Sequence, residues 1–304
     1  MKYRKLGKSG LLVSEIALGT MIFGEDSERS ASPETSIKMI HQFLDAGGNH
    51  LDTANVYADG RSEEIVGQAL KGKRDQVVLA TKVRFSMGEG RNDEGLSRYH
   101  ILNSVEDSLR RLDTDHIDLL YMHCWDPLTP IDESLRAFDD LVTAGKVRYI
   151  GVSNFKAWQM MKALGVSDEK GWARFVAAQY QYSLVNREIE NEFADLCESE
   201  GVGIAPWGPL GGGFLTGKYT KDQRPTDAKT EGRIAMMAAD TEEAWDKRNI
   251  DRNWNILGVM EEIAANHKDV TISQIAVAWL LRQKAVSSVI VGVRTPEQLT
   301  DNLG

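Results

Sequence analysis

The sequence predicts an α/β protein with a (β/α)8 barrel, or TIM barrel, as a single domain over residues 1–304. Short apolar segments alternate with amphipathic segments of helical period along the whole chain, a pattern typical of βα units around a parallel sheet. There are eight such units, the number that closes a barrel of this kind. The alternation has no central linker, although a chain of this length is also long enough for two domains.

The first four units have clear boundaries. The first strand is predicted at 16–18, and the helix after it begins at Ser32 and Pro33, an N-cap residue followed by a first-turn proline. This helix ends before Gly47, because glycine commonly terminates helices. Apolar runs before the next three helices predict strands two, three and four, at 49–54, 77–83 and 117–121.

The second half continues the pattern with one interruption. A stretch rich in Lys, Asp and Thr, roughly 219–253, predicts a long loop after strand seven. Thr271 and Gln274 have the spacing of a capping box, and Thr295 with Pro296 introduces the last helix. Strands five to eight are predicted at 147–152, 175–179, 202–206 and 288–291.

The composition disfavours several classes of function. With 36 Lys plus Arg against 45 Asp plus Glu, the formal net charge is −9, which disfavours nucleic acid and anionic membrane as partners. The longest apolar run, 275–281, is too short to span a bilayer. Two cysteines cannot form a disulfide framework, and the six histidines lack paired metal-ligand spacing. We therefore expect a cytoplasmic protein that acts on a small molecule without a metal, and the sequence indicates no particular oligomeric state.

Ionisable side chains stand at the ends of three successive predicted strands. Asp52 belongs to strand two, Lys82 to strand three, and His123 follows strand four. Tyr57 lies in the loop after strand two. In a barrel of this kind the carboxyl ends of the strands form one rim, where the chemistry is located. We therefore expect the four side chains to converge.

This combination of residues suits proton transfer. A phenol with a pKa of ~10 is a poor acid at neutral pH, but an adjacent ammonium stabilises the phenolate and lowers that pKa. Lys82 can supply the ammonium to Tyr57, and Asp52 can hold Lys82 charged. His123 can hydrogen-bond a substrate carbonyl oxygen or share the proton with Tyr57. Each residue alone also fits a structural role, such as an ion pair, but their joint placement favours a site that protonates a developing alkoxide.

Several segments, in order along the chain, carry the signature of a known family. These segments are 51–57, 60–64, 145–155, 179–182 and 209–219. Together they resemble the aldo-keto reductases over essentially the whole chain. The resemblance implies a nicotinamide-dependent enzyme that reduces aldehydes or ketones by hydride transfer, or oxidises secondary alcohols in reverse. It also implies these roles: general acid and base for Tyr57, tuning of that residue by Lys82 and Asp52, and orientation of the carbonyl by His123.

The resemblance further implies a nicotinamide cofactor along the same rim. Ser153, Asn154 and Gln179 match residues that hydrogen-bond the carboxamide, a group that hydroxyl and amide side chains can serve. Trp207 matches the aromatic residue that stacks on the nicotinamide ring. The glycines that follow permit close approach of the backbone to the pyrophosphate, and Lys218 supplies positive charge.

The adenosine end of the cofactor is expected near the start of the last helix. There Arg294 and the helix N-terminus suit a 2′-phosphate, so NADP(H) is the preferred cofactor and NAD(H) the alternative. Gln298 also has a simpler explanation as a capping residue. The expected cofactor contacts are Gly19, Thr20, Met21, Asp52, Ser153, Asn154, Gln179, Trp207, Pro209, Leu210, Gly212, Lys218, Gly292, Arg294, Gln298 and Asn302.

Aromatic side chains on the same loops predict an apolar substrate pocket. Phe23, Phe85 and Trp125 are its expected walls around Tyr57 and His123. Aromatic residues at these positions would equally fit the protein core.

The sequence leaves alternatives for the function of the protein and for the C-terminal extent of the chain. Gly212 to Lys218 has P-loop spacing, but Tyr219 stands where a Ser or Thr would hold Mg²⁺, which argues against nucleotide hydrolysis. A regulatory protein that binds a nicotinamide cofactor, turns over little and acts on a partner protein is the alternative hypothesis. Because the chain ends within the last predicted helix, where members of the family usually continue, we also expect a C-terminal segment to be missing.

Overall fold

A computed structural model describes residues 1–27, 30–226, 232–236 and 244–304. The chain begins with an antiparallel hairpin of β1 (Tyr3–Lys5) and β2 (Leu12–Ser14). All eight predicted barrel strands follow, with small differences at their ends. They are β3 (Ile16–Gly19), β4 (His50–Asp52), β5 (Val78–Val83), β6 (Ile117–Met122), β7 (Val147–Ser153), β8 (Phe175–Gln179), β9 (Gly203–Ile204) and β10 (Val289–Gly292).

These eight strands form a closed parallel barrel. From β3 to β9 each strand pairs with the next in chain order, and β10 pairs with β3. Hydrogen bonds bridge the remaining gap between β9 and β10. Ile204 N donates to Ala285 O over 2.7 Å, and Ile290 N donates to Pro206 O over 2.9 Å. The predicted (β/α)8 barrel is confirmed.

Helices follow the strands and cover the outside of the barrel. Their buried apolar faces pack against the strands to form the main core. None of the helices in the described part of the chain combines the length and apolar character needed to cross a bilayer. The helices are α1 (Pro33–Asp45), α2 (Arg61–Ala69), α3 (Arg98–Leu112), α4 (Ile131–Thr143), α5 (Ala157–Lys170), α6 (Phe193–Glu200), α7 (Trp245–Arg248), α8 (Asp251–Asn266), α9 (Ile272–Leu281) and α10 (Pro296–Leu303).

The predicted helix start signals operate as expected. Ser32 caps α1, its side chain accepting from Thr35 N. Thr271 and Gln274 form the predicted capping box at α9. The side chain of Thr295 caps α10. Each cap satisfies a backbone N–H that the first helical turn leaves without an intrahelical partner.

The N-terminal hairpin was not predicted, because each of its strands has only three residues. Leu6 and Val13 of the hairpin are fully buried. Lys8 N donates to Gly201 O over 2.7 Å, just before β9 begins. The hairpin therefore closes the end of the barrel where the strands begin, and leaves the other end for the site.

The segment after β9 is long, as predicted, but it contains short helices. Turns of 3-10 helix lie at Gly211–Thr216 and Arg233–Met236, and α7 and the start of α8 follow. Residues 227–231 and 237–243 of the predicted polar stretch lie outside the described residues. The predicted end of the loop at 253 is wrong by a short distance, since α8 begins at Asp251.

An aromatic cluster anchors this segment to α8. The rings of Phe214 and Trp254 have centroids 4.9 Å apart, and those of Tyr219 and Trp245 are 6.0 Å apart. Phe214 is fully buried. The cluster thus fixes the glycine-rich turn after Trp207 at the mouth of the barrel.

Candidate active site

The carboxyl ends of β4, β5 and β6 carry the predicted ionisable residues. Asp52 pairs with Ala80, so Lys82 lies two residues further along β5. Lys82 in turn pairs with Tyr121, and His123 follows two residues later. Side chains two positions apart on a strand point to the same face. The register therefore directs Asp52, Lys82 and His123 into the barrel interior.

Lys82 connects the members of the site. This residue is fully buried, and its Nζ donates to Asp52 Oδ1 over 2.6 Å, to Thr53 O over 2.7 Å and to Tyr57 OH over 3.2 Å. These contacts use all three donors of the ammonium. Burial alone lowers the pKa of Lys82, but Asp52 and Tyr57 outweigh burial, and the net pKa is raised. Lys82 is therefore charged at neutral pH.

Tyr57 opens a tight 3-10 turn after β4. Ala58 and Asp59 in this turn have φ angles of 50° and 54°, values uncommon for residues other than glycine. Lys82 lowers the pKa of Tyr57, as the sequence argument expected, but burial of the phenol acts more strongly in the opposite direction. The expected net decrease is thus wrong, and the pKa of Tyr57 is raised. The phenol keeps its proton at neutral pH, as a proton donor must.

His123 faces Tyr57 across the same opening. The two ring centroids are 6.0 Å apart, and Phe85 packs edge-on against His123 at 4.8 Å. Burial, assisted by the charge of Lys82, lowers the pKa of His123 to about 2. The imidazole is therefore neutral at physiological pH. A neutral imidazole has one donor and one acceptor nitrogen and can donate to a carbonyl oxygen.

Asp52 is held at both carboxylate oxygens. Lys82 occupies Oδ1, and Gln179 donates from Nε2 to Oδ2 over 2.8 Å. Gln179 is the last residue of β8, which lies opposite β4 in the strand order. Sequence reasoning assigned Gln179 to the cofactor alone. In the structure this amide also supports the carboxylate that holds Lys82.

The predicted carboxamide ligands form one hydrogen-bonded network. Ser153 Oγ donates to Gln179 O over 3.0 Å, and Asn154 Nδ2 donates to Ser153 Oγ over 2.9 Å. Asn154 Nδ2 also donates to His123 O over 3.2 Å, and Trp207 Nε1 lies 3.4 Å from Asn154 Oδ1. Asn154 therefore links the backbone of His123 to the side chain of Trp207.

A cavity of about 700 Å³ opens above these residues. Its volume lies within the range typical of small-molecule and cofactor sites. Most of the predicted site residues line it. They are Gly19, Met21, Asp52, Tyr57, Phe85, His123, Asn154, Gln179, Trp207, Pro209, Leu210, Gly212, Lys218, Gly292, Arg294, Gln298 and Asn302.

Other predicted contacts lie elsewhere. Thr20 is fully buried, and its hydroxyl donates to Asp52 O over 3.1 Å, so it supports a strand end. Ser153 is likewise buried beneath the cavity.

Phe23 belongs to the main core with no exposed surface, which corrects its expected place in the substrate pocket. Trp125 does not line this cavity either, and its ring packs edge-on against Phe155 with centroids 5.2 Å apart.

Part of the cavity lining was not predicted from the sequence. Asp301 was detectable, because it lies on the same helix face as Gln298. Arg233 was not, because its segment shows only a polar composition, and nothing in the sequence places it beside Met21, which its Nη1 approaches within 3.8 Å. The lining residues outside the predicted set are Ile22, Val56, Gly208, Gly213, Thr216, Gly232, Arg233, Ser273, Ile290, Val291 and Asp301.

Three positively charged side chains and several glycines line the cavity. Lys218, Arg233 and Arg294 all line it. Gly213 and Gly232 have φ angles of 95° and 86°. A Cβ atom on Gly232 would lie 2.6 Å from Lys218 Nζ, and the positive φ angle favours glycine here. The arrangement suits a ligand with several phosphate groups.

The start of α10 shapes the far end of the cavity. Gln298 Oε1 accepts from Arg294 N over 2.8 Å, while Gln298 N donates to Thr295 Oγ1 over 3.3 Å. One bond of the capping box expected for Gln298 is therefore present, but its side chain accepts from Arg294 N and not from the N–H of Thr295. The same bond fixes the backbone from which the Arg294 side chain extends along the cavity.

Among the residues that the structure describes, Cys124 and the other possible metal ligands lack the features of a reactive or metal-binding site. Cys124 directly follows His123, and burial raises the pKa of its thiol. The thiol is therefore protonated at neutral pH. Within the described ranges, no three His, Cys, Asp or Glu side chains are grouped so that they could hold a metal ion.

Comparison with known proteins agrees with the resemblance. The chain matches the aldo/keto reductase family over residues 15–304. It is 35% identical over 313 residues to a probable voltage-gated potassium channel subunit beta of Arabidopsis thaliana, a match that covers 100% of this chain and 90% of that protein.

Two further relatives carry the names of oxidoreductases. The uncharacterized oxidoreductase YrpG of Bacillus subtilis is 37% identical over 314 residues, covering 100% of this chain and 90% of YrpG. Versiconal hemiacetal acetate reductase of Aspergillus parasiticus is 34% identical over 323 residues, covering 99% of this chain and 91% of the reductase. With a match to the family over nearly its whole length, the chain belongs to the aldo/keto reductase family.

Proposed function

We propose that the protein is an NADP(H)-dependent oxidoreductase that reduces aldehydes or ketones to alcohols, or oxidises secondary alcohols in the reverse direction. One observation carries the proposal. A buried Lys82 ammonium contacts both Asp52 Oδ1 at 2.6 Å and Tyr57 OH at 3.2 Å, and the Tyr57 ring faces the cavity. This arrangement stabilises a phenolate after the phenol has given up its proton.

The residues around the cavity fit a nicotinamide dinucleotide phosphate. Asn154 and Gln179 would hold the carboxamide, Trp207 would pack on the nicotinamide ring, and Lys218 with Arg233 would meet the pyrophosphate. The glycine contact with Lys218 supports this fit, since a side chain at Gly232 would fill the space around the ammonium. Arg294 and the start of α10 suit the 2′-phosphate. When bound, the reduced cofactor supplies the hydride.

The protein's own residues then handle the proton. A substrate oxygen placed between Tyr57 and His123 accepts a hydrogen bond from the neutral imidazole, which fixes its position. As negative charge develops on that oxygen, Tyr57 OH transfers its proton to it. Lys82 stabilises the phenolate that remains. Asp52 and Gln179 hold Lys82 in place.

Steady-state assays with the purified protein test this function. We expect consumption of NADPH with members of a panel of aliphatic and aromatic aldehydes and ketones, and a lower kcat/KM with NADH. Absence of turnover with every member, in either direction and with either cofactor, would contradict the proposal.

A second candidate is a regulatory protein that binds the cofactor and acts on a partner. It is favoured by the relative in Arabidopsis thaliana that is named as a probable potassium channel subunit beta. The presence of Asp52, Tyr57, Lys82 and His123 in one connected site favours turnover instead. Tight NADPH binding, measured by quenching of tryptophan fluorescence, with a negligible rate on the whole panel would support the second candidate.

A further inference from the structure

Asp126 connects two loops at the mouth of the barrel. It lies three residues after His123, in the loop between β6 and α4, and is 5% exposed. Its Oδ2 accepts from Leu96 N over 2.8 Å and from Thr129 Oγ1 over 2.7 Å, while Oδ1 accepts from Leu128 N over 3.0 Å. Leu96 belongs to the neighbouring loop between β5 and α3. One carboxylate therefore joins the loop that carries His123 to the loop that carries Phe85.

The backbone conformation and the missing side chain of Gly95 make room for this carboxylate. Its φ angle is 93°, a left-handed conformation that side chains rarely adopt. A Cβ atom at this position would lie 2.8 Å from Asp126 Oδ2. Gly95 N also donates to Arg84 O over 2.7 Å, which closes the neck of the β5–α3 loop. Arg84 directly precedes Phe85, so the contact with Asp126 fixes the backbone at Phe85.

Phe85 in turn forms a wall of the cavity. Its ring packs edge-on against His123 with centroids 4.8 Å apart, and it lines the cavity beside Tyr57. The carboxylate is ionised at neutral pH: burial raises the pKa of Asp126, but hydrogen bonds from Thr129, Leu96 and Leu128 outweigh burial and hold it below its usual value. Hydrogen bonds to an ionised acceptor are stronger than those between neutral groups.

We propose that Asp126 is a positioning residue that fixes the β5–α3 loop against His123 and thereby sets the Phe85 wall of the substrate pocket. Asp126 does not line the cavity itself, so it acts through Phe85. The consequence for selectivity rests on the carbonyl reductase function proposed above. Substrates with a ring that reaches Phe85 depend on this positioning, whereas the smallest aldehydes do not.

The test compares Asp126→Ala with a control of the same kind. Asp139 Oδ1 accepts from Ala173 N over 2.9 Å, ahead of β8 and at the opposite end of the barrel, so Asp139→Ala also removes a hydrogen bond from a carboxylate to the backbone of another segment. We expect Asp126→Ala to lower kcat/KM for benzaldehyde about tenfold more than for acetaldehyde, mainly through KM. NADPH binding should change by less than about twofold, and Asp139→Ala should leave the ratio between the aldehydes unchanged.

Two further variants distinguish a specific effect of the Asp126 contacts from a general loss of structure. Gly95→Ala leaves Asp126 intact but obstructs its carboxylate, so it should change the ratio in the same direction. In a double-mutant cycle, Asp126→Ala should have little further effect on the ratio once Phe85→Ala is present, because both act on one wall. An unchanged ratio in folded Asp126→Ala, or additive effects in the cycle, would overturn the proposal.

Hydrogen exchange separates failure of this proposal from failure of the proposed function. In the presence of NADPH, we expect amide exchange in residues 84–97 to be faster in Asp126→Ala than in the wild type. Exchange in residues 207–218 should be the same in both proteins, whether or not any carbonyl is reduced. A wild-type protein without turnover would contradict the proposed function only. Unchanged exchange in 84–97 would overturn the role of Asp126 even in an active enzyme.

Discussion

Gln179 and Asp52, 127 positions apart in the sequence, are joined by a hydrogen bond of 2.8 Å from Nε2 to Oδ2. The bond crosses the barrel, because β4 and β8 lie on opposite sides of the ring of strands. Ala80 and Ala177, two residues before Lys82 and Gln179, lie on the same strand faces and are fully buried. Asp52 therefore links the Lys82 ammonium to an amide that lines the cavity.

This link gives Gln179→Ala a larger effect than the loss of a cofactor contact alone. We expect kcat at saturating NADPH to fall about tenfold or more, since a hydrogen bond to a charged group contributes about 1.5–3 kcal/mol. Ser153→Ala is the control, because Ser153 belongs to the same network without touching Asp52. Equal values of kcat for the two variants would show that the bond to Asp52 has no part in turnover.

Cofactor selectivity is expected to depend on Arg294. Arg294→Ala should weaken NADPH binding about tenfold or more and leave NADH binding nearly unchanged, because only NADPH carries the 2′-phosphate that the guanidinium would meet. Fluorescence titration of both cofactors measures this. Arg282→Ala, an exposed arginine at the end of α9, is the matched control. An unchanged ratio of the two dissociation constants would remove Arg294 from the proposed phosphate site.

Stability is expected to fall in mild acid because of His50. This residue is fully buried, and burial lowers its pKa to about 4, whereas in the unfolded chain the pKa is about 6.5. The unfolded state therefore binds the proton first. The stabilisation from a neutral His50 is complete above the unfolded pKa and is lost as the pH falls from there towards the folded pKa.

The effect can be isolated with His50→Asn, which retains a donor for Ser288 Oγ, the partner of His50 Nδ1 at 2.9 Å. Between pH 7 and pH 5 the free energy of unfolding of the wild type should decrease by about 2 kcal/mol more than that of the variant. Urea denaturation at the two pH values measures this difference. Parallel losses in both proteins would mean that His50 does not titrate on unfolding in this range.

The sequence was sufficient for the barrel and for most of the rim. Parallel strands covered on both faces appear as apolar runs, and caps such as Ser32 mark the helices between them, so the eight units could be counted. Because Asp52, Lys82 and His123 lie at the carboxyl ends of their strands, the sequence predicted them on one rim of the barrel. The N-terminal hairpin was not predicted, because strands of three residues are too short to show an alternating pattern of apolar and polar residues.

The remaining features depend on distances that a linear pattern does not contain. The sequence places Gln179 at the end of a strand but not across the barrel from Asp52. It gives no sign that Arg233 returns to the cavity, or that burial of Tyr57 outweighs the charge of Lys82 in setting the pKa of the phenol. The single-domain organisation and the cytoplasmic location stay predictions.

The most direct test of the account is the single-turnover rate of Tyr57→Phe with NADPH bound beforehand and saturating aldehyde. Phenylalanine keeps the ring and removes only the hydroxyl. We predict a loss of at least about a hundredfold in rate, as expected for removal of a general acid, with NADPH affinity unchanged by fluorescence titration. A variant that oxidises NADPH at the wild-type rate would show that Tyr57 is not the proton donor.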